Sequence, residues 1–311
     1  MSEKLTAFVF PGQGSQKVGM LLAAHAEYAV VRDTFAEASS VLGYDMWDLI
    51  QRGDQDALNL TETTQPVLLA SSVALWRAWQ SQGGAAPALM AGHSLGEFSA
   101  LVCAGAIAFP DALGLVRQRG QFMQSAVPVG EGAMAAIIGL DDERINTICA
   151  ATEGVVAAVN FNSPGQVVIA GHTASVEAAI VALKEAGAKR AMPLPVSAPF
   201  HTELMRPAGE RLAEAIANVD IKAPGTPVVH NVTAATEADP DKIRALLVQQ
   251  IYSPVQWTGC VRTIIETGVT HIVECGPGKV LSGLNRRIDK SVDSYSIEEP
   301  EALVTALQEL A

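Results

Sequence analysis

What this 311-residue sequence lacks already excludes several classes of protein. No apolar run approaches the roughly 18 residues that a membrane-spanning helix needs, and residues 1–4 lead straight into a strand-like stretch without the hydrophobic region of a signal peptide. Lysine and arginine number 21 against 33 for aspartate and glutamate, a net charge of −12, which argues against binding to a nucleic acid backbone. We therefore expect a soluble, cytoplasmic protein that binds neither membranes nor nucleic acid.

Cysteine and charge are also scarce. The four cysteines lie far apart in apolar contexts and show no C-x-x-C spacing, so we expect buried free thiols rather than disulfides or a zinc site. Charged residues make up 17% of the chain, below the ~25% of an average soluble domain. Apolar residues make up 49%. These values exclude disorder and favour a large core, in one large domain or two modest ones.

The order of apolar segments predicts a parallel sheet covered by helices. Strand-like stretches at residues 5–10 and 88–91 alternate with helix-compatible stretches that begin at Val18 and cover residues 97–103. Between residues 130 and 196 the order is strand, helix, hairpin, helix and strand, the βαββαβ order of a ferredoxin-like unit. We expect this subdomain, residues 130–196, to be inserted into a larger α/β domain formed by residues 1–129 and 197–311.

The sharpest local signal is the pentapeptide GHSLG at residues 92–96. A short apolar stretch precedes it and a helix-compatible stretch follows, which is the strand-turn-helix context of a nucleophile elbow. Glycines on both sides leave room for a strained turn that pushes the serine hydroxyl outward, and the helix aims its first amides at the site. The pattern predicts Ser94 as a nucleophile, with a structural turn as the alternative.

A glycine-rich loop, PGQGSQ at residues 11–16, follows the first strand. Phosphate binding is disfavoured, because the third glycine of a dinucleotide-binding motif would fall on Lys17. The glycines beside Gln13 would instead let its backbone N–H approach a ligand, as an oxyanion-hole donor that partners the amide of Leu95. An ordinary turn is the alternative interpretation.

A predicted helix at residues 111–126 places one charge on its apolar face. Helical periodicity puts Arg119 in the middle of that face. A buried arginine costs free energy unless it is paired, reaches solvent or meets an anionic ligand. A buried salt bridge with a local carboxylate and the binding of an anionic substrate therefore both remain open.

The general base is less clear from the residues alone. His93 lies inside the elbow and is expected to point away from Ser94. No acidic residue stands out as the third member of a hydrolase triad. Periodicity does not choose among three further histidines, which are His201, His230 and His271.

Seven short motifs follow one another along the chain: FVFPGQGSQ (8–16), GHSLGE (92–97), RG (119–120), VNFNSPGQ (159–166), PFH (199–201), QIYSPVQW (250–257) and GPGK (276–279). Together, in order and in spacing, they resemble the malonyl-CoA:acyl carrier protein transacylase family. The fold that this resemblance implies is a hydrolase-like α/β domain with an inserted ferredoxin-like subdomain, in agreement with the predicted order of elements.

The resemblance implies a role for each residue singled out above. In that family the serine of GHSLG accepts the malonyl group and the histidine of PFH is the general base, which correspond to Ser94 and His201. A backbone carbonyl, rather than an acid, orients the histidine, and the matching position is Gln250. The arginine before glycine, here Arg119, binds the malonyl carboxylate.

The amides of Gln13 and Leu95 match the family's oxyanion hole. The implied enzyme is an S-malonyltransferase that moves malonyl from malonyl-CoA to the phosphopantetheine thiol of holo acyl carrier protein, through a malonyl-serine, and supplies fatty acid biosynthesis. No metal or cofactor is expected, because malonyl-CoA is a substrate and the partner carries the phosphopantetheine. Phe200 would fill the space that the methyl group of a methylmalonyl substrate needs.

An acidic carrier protein would require a local basic patch on this acidic chain. Lys279, Arg286 and Lys290 share one face of a predicted helix near the C terminus, and Lys189 and Arg190 are further candidates. Ordinary solvated charges are the alternative.

Three other functions remain open from the sequence. A thioesterase or other hydrolase would use the same serine, a loading acyltransferase for polyketide synthesis would use the same chemistry, and an inactive interaction module would use neither. The missing acid and the buried Arg119 favour transfer over hydrolysis. Every motif keeps its reactive residue, which argues against an inactive module.

Overall fold

The computed structural model describes residues 4–196 and 198–310, and its strands form two separate sheets. Its strands are β1 (Thr6–Phe10), β2 (Leu89–Gly92), β3 (Gly132–Ile138), β4 (Val156–Ser163), β5 (Gln166–His172), β6 (Arg190–Pro193), β7 (Val228–Val229), β8 (His271–Glu274) and β9 (Asp293–Ser296). Its helices are α1 (Leu22–Glu27), α2 (Ala29–Leu42), α3 (Met46–Arg52), α4 (Gln55–Asn59), α5 (Thr61–Ser81), α6 (Leu95–Cys103), α7 (Phe109–Ser125), α8 (Asp142–Ala151), α9 (Thr173–Glu185), α10 (Arg206–Ile216), α11 (Pro240–Gln250), α12 (Trp257–Glu266), α13 (Val280–Ile288) and α14 (Pro300–Leu310), with a 3₁₀ turn at Glu203–Met205.

The larger sheet is parallel, with the strand order β7-β2-β1-β8-β9. Its central strands are apolar and buried, as expected for a parallel sheet covered on both faces. Phe10 pairs with Gly92, so β1 and β2 end side by side. The loop after β1 and the turn after β2 therefore emerge together at the carboxyl edge of the sheet, which is where α/β proteins bind their ligands.

The smaller sheet is antiparallel, with the order β4-β5-β3-β6. Together with α8 and α9 it has the element order βαββαβ and its own apolar core. This confirms the predicted fold class, a hydrolase-like parallel-sheet domain with a ferredoxin-like subdomain.

The ferredoxin-like elements run from β3 to β6, and on this basis we propose residues 130–196 as the inserted subdomain. Three of the expected domain boundaries, residues 1, 197 and 311, lie outside the described residues. Backbone hydrogen bonds join the subdomain to the main domain, since Val255 N donates to Val159 O at 2.8 Å and Phe161 N donates to Val255 O at 3.0 Å. This junction brings β4 beside the carboxyl edge of the parallel sheet.

Two further expectations concern cysteines and membranes. All four cysteines are free, and Cys149, Cys260 and Cys275 are buried while Cys103 is half-buried. Within residues 4–196 and 198–310, no helix combines the length and the apolar character needed to cross a membrane.

Glycines allow the elbow to pack directly against the backbone of the neighbouring strand. A Cβ atom on Gly96 would lie 2.0 Å from Phe10 O, and one on Gly92 would lie 1.9 Å from the carbonyl of Gly96. A Cβ on Gly12, in the loop after β1, would lie 2.4 Å from His93 O. These distances are far shorter than any Cβ contact allows, so the elbow and the loop fit together only with glycine at these positions.

We expect Gly96→Ala to destabilise the protein by about 1–3 kcal/mol or more, because the added methyl group meets backbone atoms that cannot move aside. Gly114→Ala is a matched control in the interior of α7, where nothing lies within 4 Å of the added Cβ. It should stabilise the helix by about 0.5–1 kcal/mol. Urea unfolding of both variants measures these effects, and a wild-type stability for Gly96→Ala would contradict the close backbone contact.

Candidate active site

Ser94 stands between β2 and α6 with a strained backbone. Its φ is +51°, in a region that residues with a side chain rarely adopt. Asn231 fixes this turn from both sides: Ser94 N donates to Asn231 Oδ1 at 2.7 Å, and Asn231 Nδ2 donates to Gly92 O at 2.7 Å. The hydroxyl group therefore stands at the N-terminus of α6, as the G-x-S-x-G pattern predicts.

His201 is the histidine that reaches the serine. Its Nε2 lies 2.8 Å from Ser94 Oγ, and its Nδ1 donates to the backbone carbonyl of Gln250 at 2.8 Å. That carbonyl belongs to the last residue of α11, where helical carbonyls have no partner within the helix. Because Nδ1 carries the proton, Nε2 offers its lone pair to the serine hydroxyl.

The other histidines are engaged elsewhere. His230 is buried and donates from Nδ1 to Glu97 Oε1 at 2.7 Å. The Nε2 atom of His271 lies 3.7 Å from an exposed Asp293 carboxylate, at the far end of β8. His93 Nε2 lies 2.8 Å from Asn162 Oδ1.

Burial sets the protonation state of His201. Desolvation, with a smaller contribution from the Arg119 charge, lowers the pKa of His201 to about 3. The backbone hydrogen bond to Gln250 acts in the opposite direction but is outweighed. The imidazole is therefore neutral at physiological pH, which is the form that can accept a proton.

Arg119 is buried on α7, as the helical pattern predicts, with only 1% of its surface exposed. Its terminal nitrogens donate to Gln65 Oε1 at 2.8 Å, to Gln250 Oε1 at 2.7 Å and to Ser94 Oγ at 3.2 Å. None of these partners is a carboxylate, so the alternative of a direct buried salt bridge does not describe this side chain. Burial lowers the pKa of Arg119 to about 10, which leaves the guanidinium charged at neutral pH.

Behind Ser94 lies a buried polar network that the sequence analysis missed. Glu97, 1% exposed, accepts hydrogen bonds from Asn231 N at 2.9 Å and from Gln250 Nε2 at 2.8 Å, in addition to the bond from His230. Gln250 Nε2 also donates to Ser94 O at 3.0 Å. One signal was available, because Glu97 is a charge within the otherwise apolar first turns of α6.

A cavity of about 120 Å³ opens above the serine, between the two sheets. Gln13 and Leu95 lie in its wall beside Ser94, and Phe200 lies next to His201. The remaining lining residues are Gln65, His93, Arg119, Met123, Met134, Asn160, Leu194 and Val196. A small, largely apolar cavity with a hydroxyl nucleophile and one buried cation suits a small acyl group that carries a negative charge.

The predicted basic patch needs one correction. Helix α13 covers Val280–Ile288, so only Arg286 of the three residues lies within it: Lys279 is the N-cap and Lys290 lies beyond the end of the helix. Arg286 and Lys290 nevertheless line one open groove together with Tyr295. Within the described residues, no cluster of three histidine, cysteine or acidic side chains is arranged to hold a metal ion.

Comparisons with known proteins agree along the whole chain. The acyl transferase domain family matches residues 7–308. The malonyl CoA-acyl carrier protein transacylase of Escherichia coli is 59% identical over 304 residues, which cover 97% of this chain and 98% of that protein. The crystal structure of an acyl carrier protein S-malonyltransferase from Vibrio cholerae is 56% identical with a TM-score of 0.95, covering 97% of this chain and 99% of that one.

A further solved structure contains a type II PKS acyl-carrier protein in complex with its malonyl-transacylase. It matches this chain with a TM-score of 0.97 and 53% identity, covering 98% of this chain and 99% of that one. The similarity is thus high over both the parallel-sheet domain and the ferredoxin-like subdomain.

The lowered pKa of His201 predicts a stability that depends on pH. The unfolded chain binds the proton near the ordinary pKa of 6.5 while the folded chain binds it only near 3, so stability falls as the pH drops through this interval. Each pH unit below 6.5 should remove up to about 1.4 kcal/mol. Urea unfolding at pH 7 and pH 5 should show a smaller loss for His201→Gln than for the wild type, and equal losses would contradict the lowered pKa.

Proposed function

The chain belongs to the malonyl-CoA:acyl carrier protein transacylase family, and we propose that it transfers malonyl from malonyl-CoA to the phosphopantetheine thiol of holo acyl carrier protein. The observation that carries this proposal is a buried, charged Arg119 within hydrogen-bonding distance of Ser94 Oγ, 3.2 Å away. A guanidinium at this place can bind a carboxylate on the acyl group while the serine reacts with the thioester of the same group.

The first half-reaction forms a malonyl-serine. His201 Nε2 takes the proton of Ser94 Oγ while the oxygen attacks the thioester carbonyl. The backbone amides of Gln13 and Leu95 are proposed to hold the resulting oxyanion, each worth ~10²–10³-fold in rate by comparison with known oxyanion donors. Collapse of the tetrahedral intermediate breaks the carbon–sulfur bond, and coenzyme A leaves with the proton from His201.

The second half-reaction reverses these steps with a different thiol. The phosphopantetheine thiol of the carrier protein gives its proton to His201 and attacks the malonyl ester. The carbon–oxygen bond to Ser94 then breaks, and the serine recovers its proton. Acyl transfer between two thiols through an ester needs no redox step, and we propose that the enzyme requires neither a metal nor another cofactor.

Arg119 and Phe200 are the proposed determinants of acyl specificity. The malonyl carboxylate would pair with both terminal nitrogens of Arg119 in a bidentate arrangement. An acetyl group would leave the cation without this partner. Phe200 lines the same cavity and would limit the space for an α-methyl substituent.

The partner and pathway follow from the family. We propose holo acyl carrier protein as the acceptor, fatty acid biosynthesis as the pathway supplied and the cytoplasm as the location, with no nucleic acid partner. The exposed Lys279, Arg286, Lys290, Lys189 and Arg190 are the proposed contacts for an acidic carrier. The Escherichia coli relative and the solved complex with a carrier protein support this choice of partner.

Loading of a polyketide carrier is the second candidate function. One observation favours it, because the solved structure at 53% identity holds a type II PKS acyl-carrier protein. The chemistry at Ser94 would be the same. Comparing kcat/KM for a fatty acid carrier and a polyketide carrier, side by side, separates the two functions.

Intact-protein mass spectrometry tests the proposed function directly. After brief mixing with malonyl-CoA, we expect the wild type to gain the mass of one malonyl group and Ser94→Ala to gain none. Addition of holo acyl carrier protein should move that mass to the carrier. Decay of the adduct to free malonate, with the carrier unmodified, would instead identify a hydrolase, and the absence of any adduct would contradict the proposal.

We predict that Arg119→Ala lowers kcat/KM for malonyl transfer by ~30-fold to several thousandfold, equivalent to about 2–5 kcal/mol, because the carboxylate loses its charged partner. Transfer of acetyl from acetyl-CoA should change much less. Arg117→Ala is a matched control on the partly exposed face of the same helix and should leave both rates unchanged. Unchanged malonyl kinetics in Arg119→Ala would overturn the assigned role.

A further inference from the structure

Two opposite charges are buried on either side of one amide group. Glu97 and Arg119 are each 1% exposed, and the side chain of Gln250 lies between them. Gln250 Nε2 donates to Glu97 Oε2 at 2.8 Å, while its Oε1 accepts from Arg119 Nη2 at 2.7 Å. The carboxylate therefore fixes which way the amide faces, and the amide keeps the carboxylate out of direct contact with the guanidinium.

Glu97 has two further hydrogen-bond donors. Asn231 offers it a backbone N–H, and His230 offers it Nδ1–H. His230 is fully buried, and its Nε2 has no hydrogen-bond partner within the described residues. Glu97 is the acidic side chain whose charge acts on Arg119.

Arg119 needs such a counter-charge, because it is desolvated without a carboxylate in direct contact. Its hydrogen-bond partners are two neutral amide oxygens and the serine hydroxyl. Burial lowers the pKa of Arg119, and the Glu97 charge acts against that effect. The residue that compensates the charge of Arg119 is therefore not one of the residues that contact its guanidinium.

We propose that Glu97 is a positioning residue that supplies the counter-charge of Arg119 through the amide of Gln250, so that the guanidinium stays charged yet free to exchange neutral partners for a substrate carboxylate. This inference rests on the proposed malonyl transfer. A carboxylate in direct contact would instead form a buried ion pair that the substrate must break. A carboxylate carries a negative charge that the amide oxygens lack, and its two oxygens can pair with the guanidinium in a bidentate arrangement, so exchanging an amide for a carboxylate is favourable.

Glu97 also limits how tightly the substrate is held. Its negative charge repels the malonyl carboxylate across the amide and the guanidinium. Tight binding of the ground state alone does not raise the rate of the chemical step. The repulsion acts on the bound substrate and on the transition state alike, so it lowers the affinity for malonyl without raising the barrier from the bound complex.

Glu97→Gln removes this charge at almost the same side-chain volume. The new amide oxygen can accept from Asn231 N and Gln250 Nε2, as the carboxylate does. The new NH₂ group can donate to His230 Nδ1 only when that ring carries its proton on Nε2, which has no hydrogen-bond partner within the described residues. Because this cost affects both ligands alike, comparing malonyl-CoA with acetyl-CoA isolates the effect of the charge.

Equilibrium binding of malonyl-CoA and acetyl-CoA is the measurement, made in a Ser94→Ala background that prevents acylation. We expect Glu97→Gln to bind malonyl-CoA more tightly by on the order of tenfold, because the variant removes the repulsion between the Glu97 charge and the malonyl carboxylate. Binding of acetyl-CoA should not change. Equal weakening of both ligands would show a merely structural role and overturn the proposal, as would an unchanged malonyl-to-acetyl ratio.

Gln250→Glu provides a second test with the opposite sign. It places a carboxylate in direct contact with Arg119, and the new group would share one proton with Glu97, since two adjacent carboxylates do not both ionise. We expect malonyl-CoA binding to weaken at least tenfold while acetyl-CoA binding stays the same. Wild-type binding of malonyl-CoA by this variant would overturn the proposal even if Glu97→Gln did not fold.

Glu274→Gln is the matched control. Glu274 is equally buried and accepts hydrogen bonds from Leu281 N and Ser282 N at the start of α13, away from the cavity. We expect this variant to bind both ligands as the wild type does. Failure of the wild-type protein to transfer malonyl would refute the proposed function itself. Normal wild-type transfer, together with an unchanged ratio of malonyl-CoA to acetyl-CoA affinity in Glu97→Gln and Gln250→Glu, would refute only the role of Glu97.

Discussion

The burial of the Arg119 guanidinium next to Ser94 is the constraint around which the site is arranged. A cation without water must find hydrogen-bond acceptors and a compensating charge, and here the two come from different residues. Amide oxygens of Gln65 and Gln250 supply the acceptors, and Glu97 supplies the charge from behind. If Arg119 were paired directly with a carboxylate of the protein, its terminal nitrogens would not be available to a substrate carboxylate.

Gln250 connects this cation to the chemistry of the serine. Its backbone carbonyl accepts from His201 Nδ1, and its side-chain amide contacts Arg119, Glu97 and the backbone of Ser94. One residue at the end of α11 thus sets the tautomer of the base and the orientation of the cation together. The position of a helix terminus, where carbonyls lack helical partners, makes this double use possible.

Backbone strain and close packing hold the reacting groups in place. Ser94 and His201 both have positive φ values, +51° and +64°. Such conformations persist only where surrounding contacts over-determine them. For Ser94 those contacts are the glycine packing against β1 and the hydrogen bonds of Asn231. The subdomain completes the cavity, since Met134 and Asn160 belong to β3 and β4.

Local patterns in the sequence identified the parts of the site that have a regular geometry. Alternating segments predicted both sheets, the G-x-S-x-G turn predicted Ser94, and helical periodicity predicted the buried Arg119. His201 could be singled out only through the family resemblance, because a histidine in an irregular loop has no periodicity. Its partner carbonyl is a backbone atom, which any residue type could provide.

The rest of the site depends on contacts between distant segments. Glu97 meets His230, Asn231 and Gln250 only after β7 and α11 are placed beside α6, and such pairs leave no mark in local sequence. The predicted helical face from Lys279 to Lys290 was wrong for a local reason. Helix α13 begins only after Lys279 and ends at Ile288, before Lys290, so both lysines lie outside it.

The central claim is that Arg119 is held charged but available for the carboxylate of the acyl group. A crystal structure of the malonyl-enzyme, trapped on Ser94 without carrier protein, tests it most directly. We predict that the malonyl carboxylate lies within hydrogen-bonding distance of both terminal nitrogens of Arg119 and replaces at least one of the amide oxygens of Gln65 and Gln250. A carboxylate directed to solvent, with both amide contacts of Arg119 intact, would contradict the account.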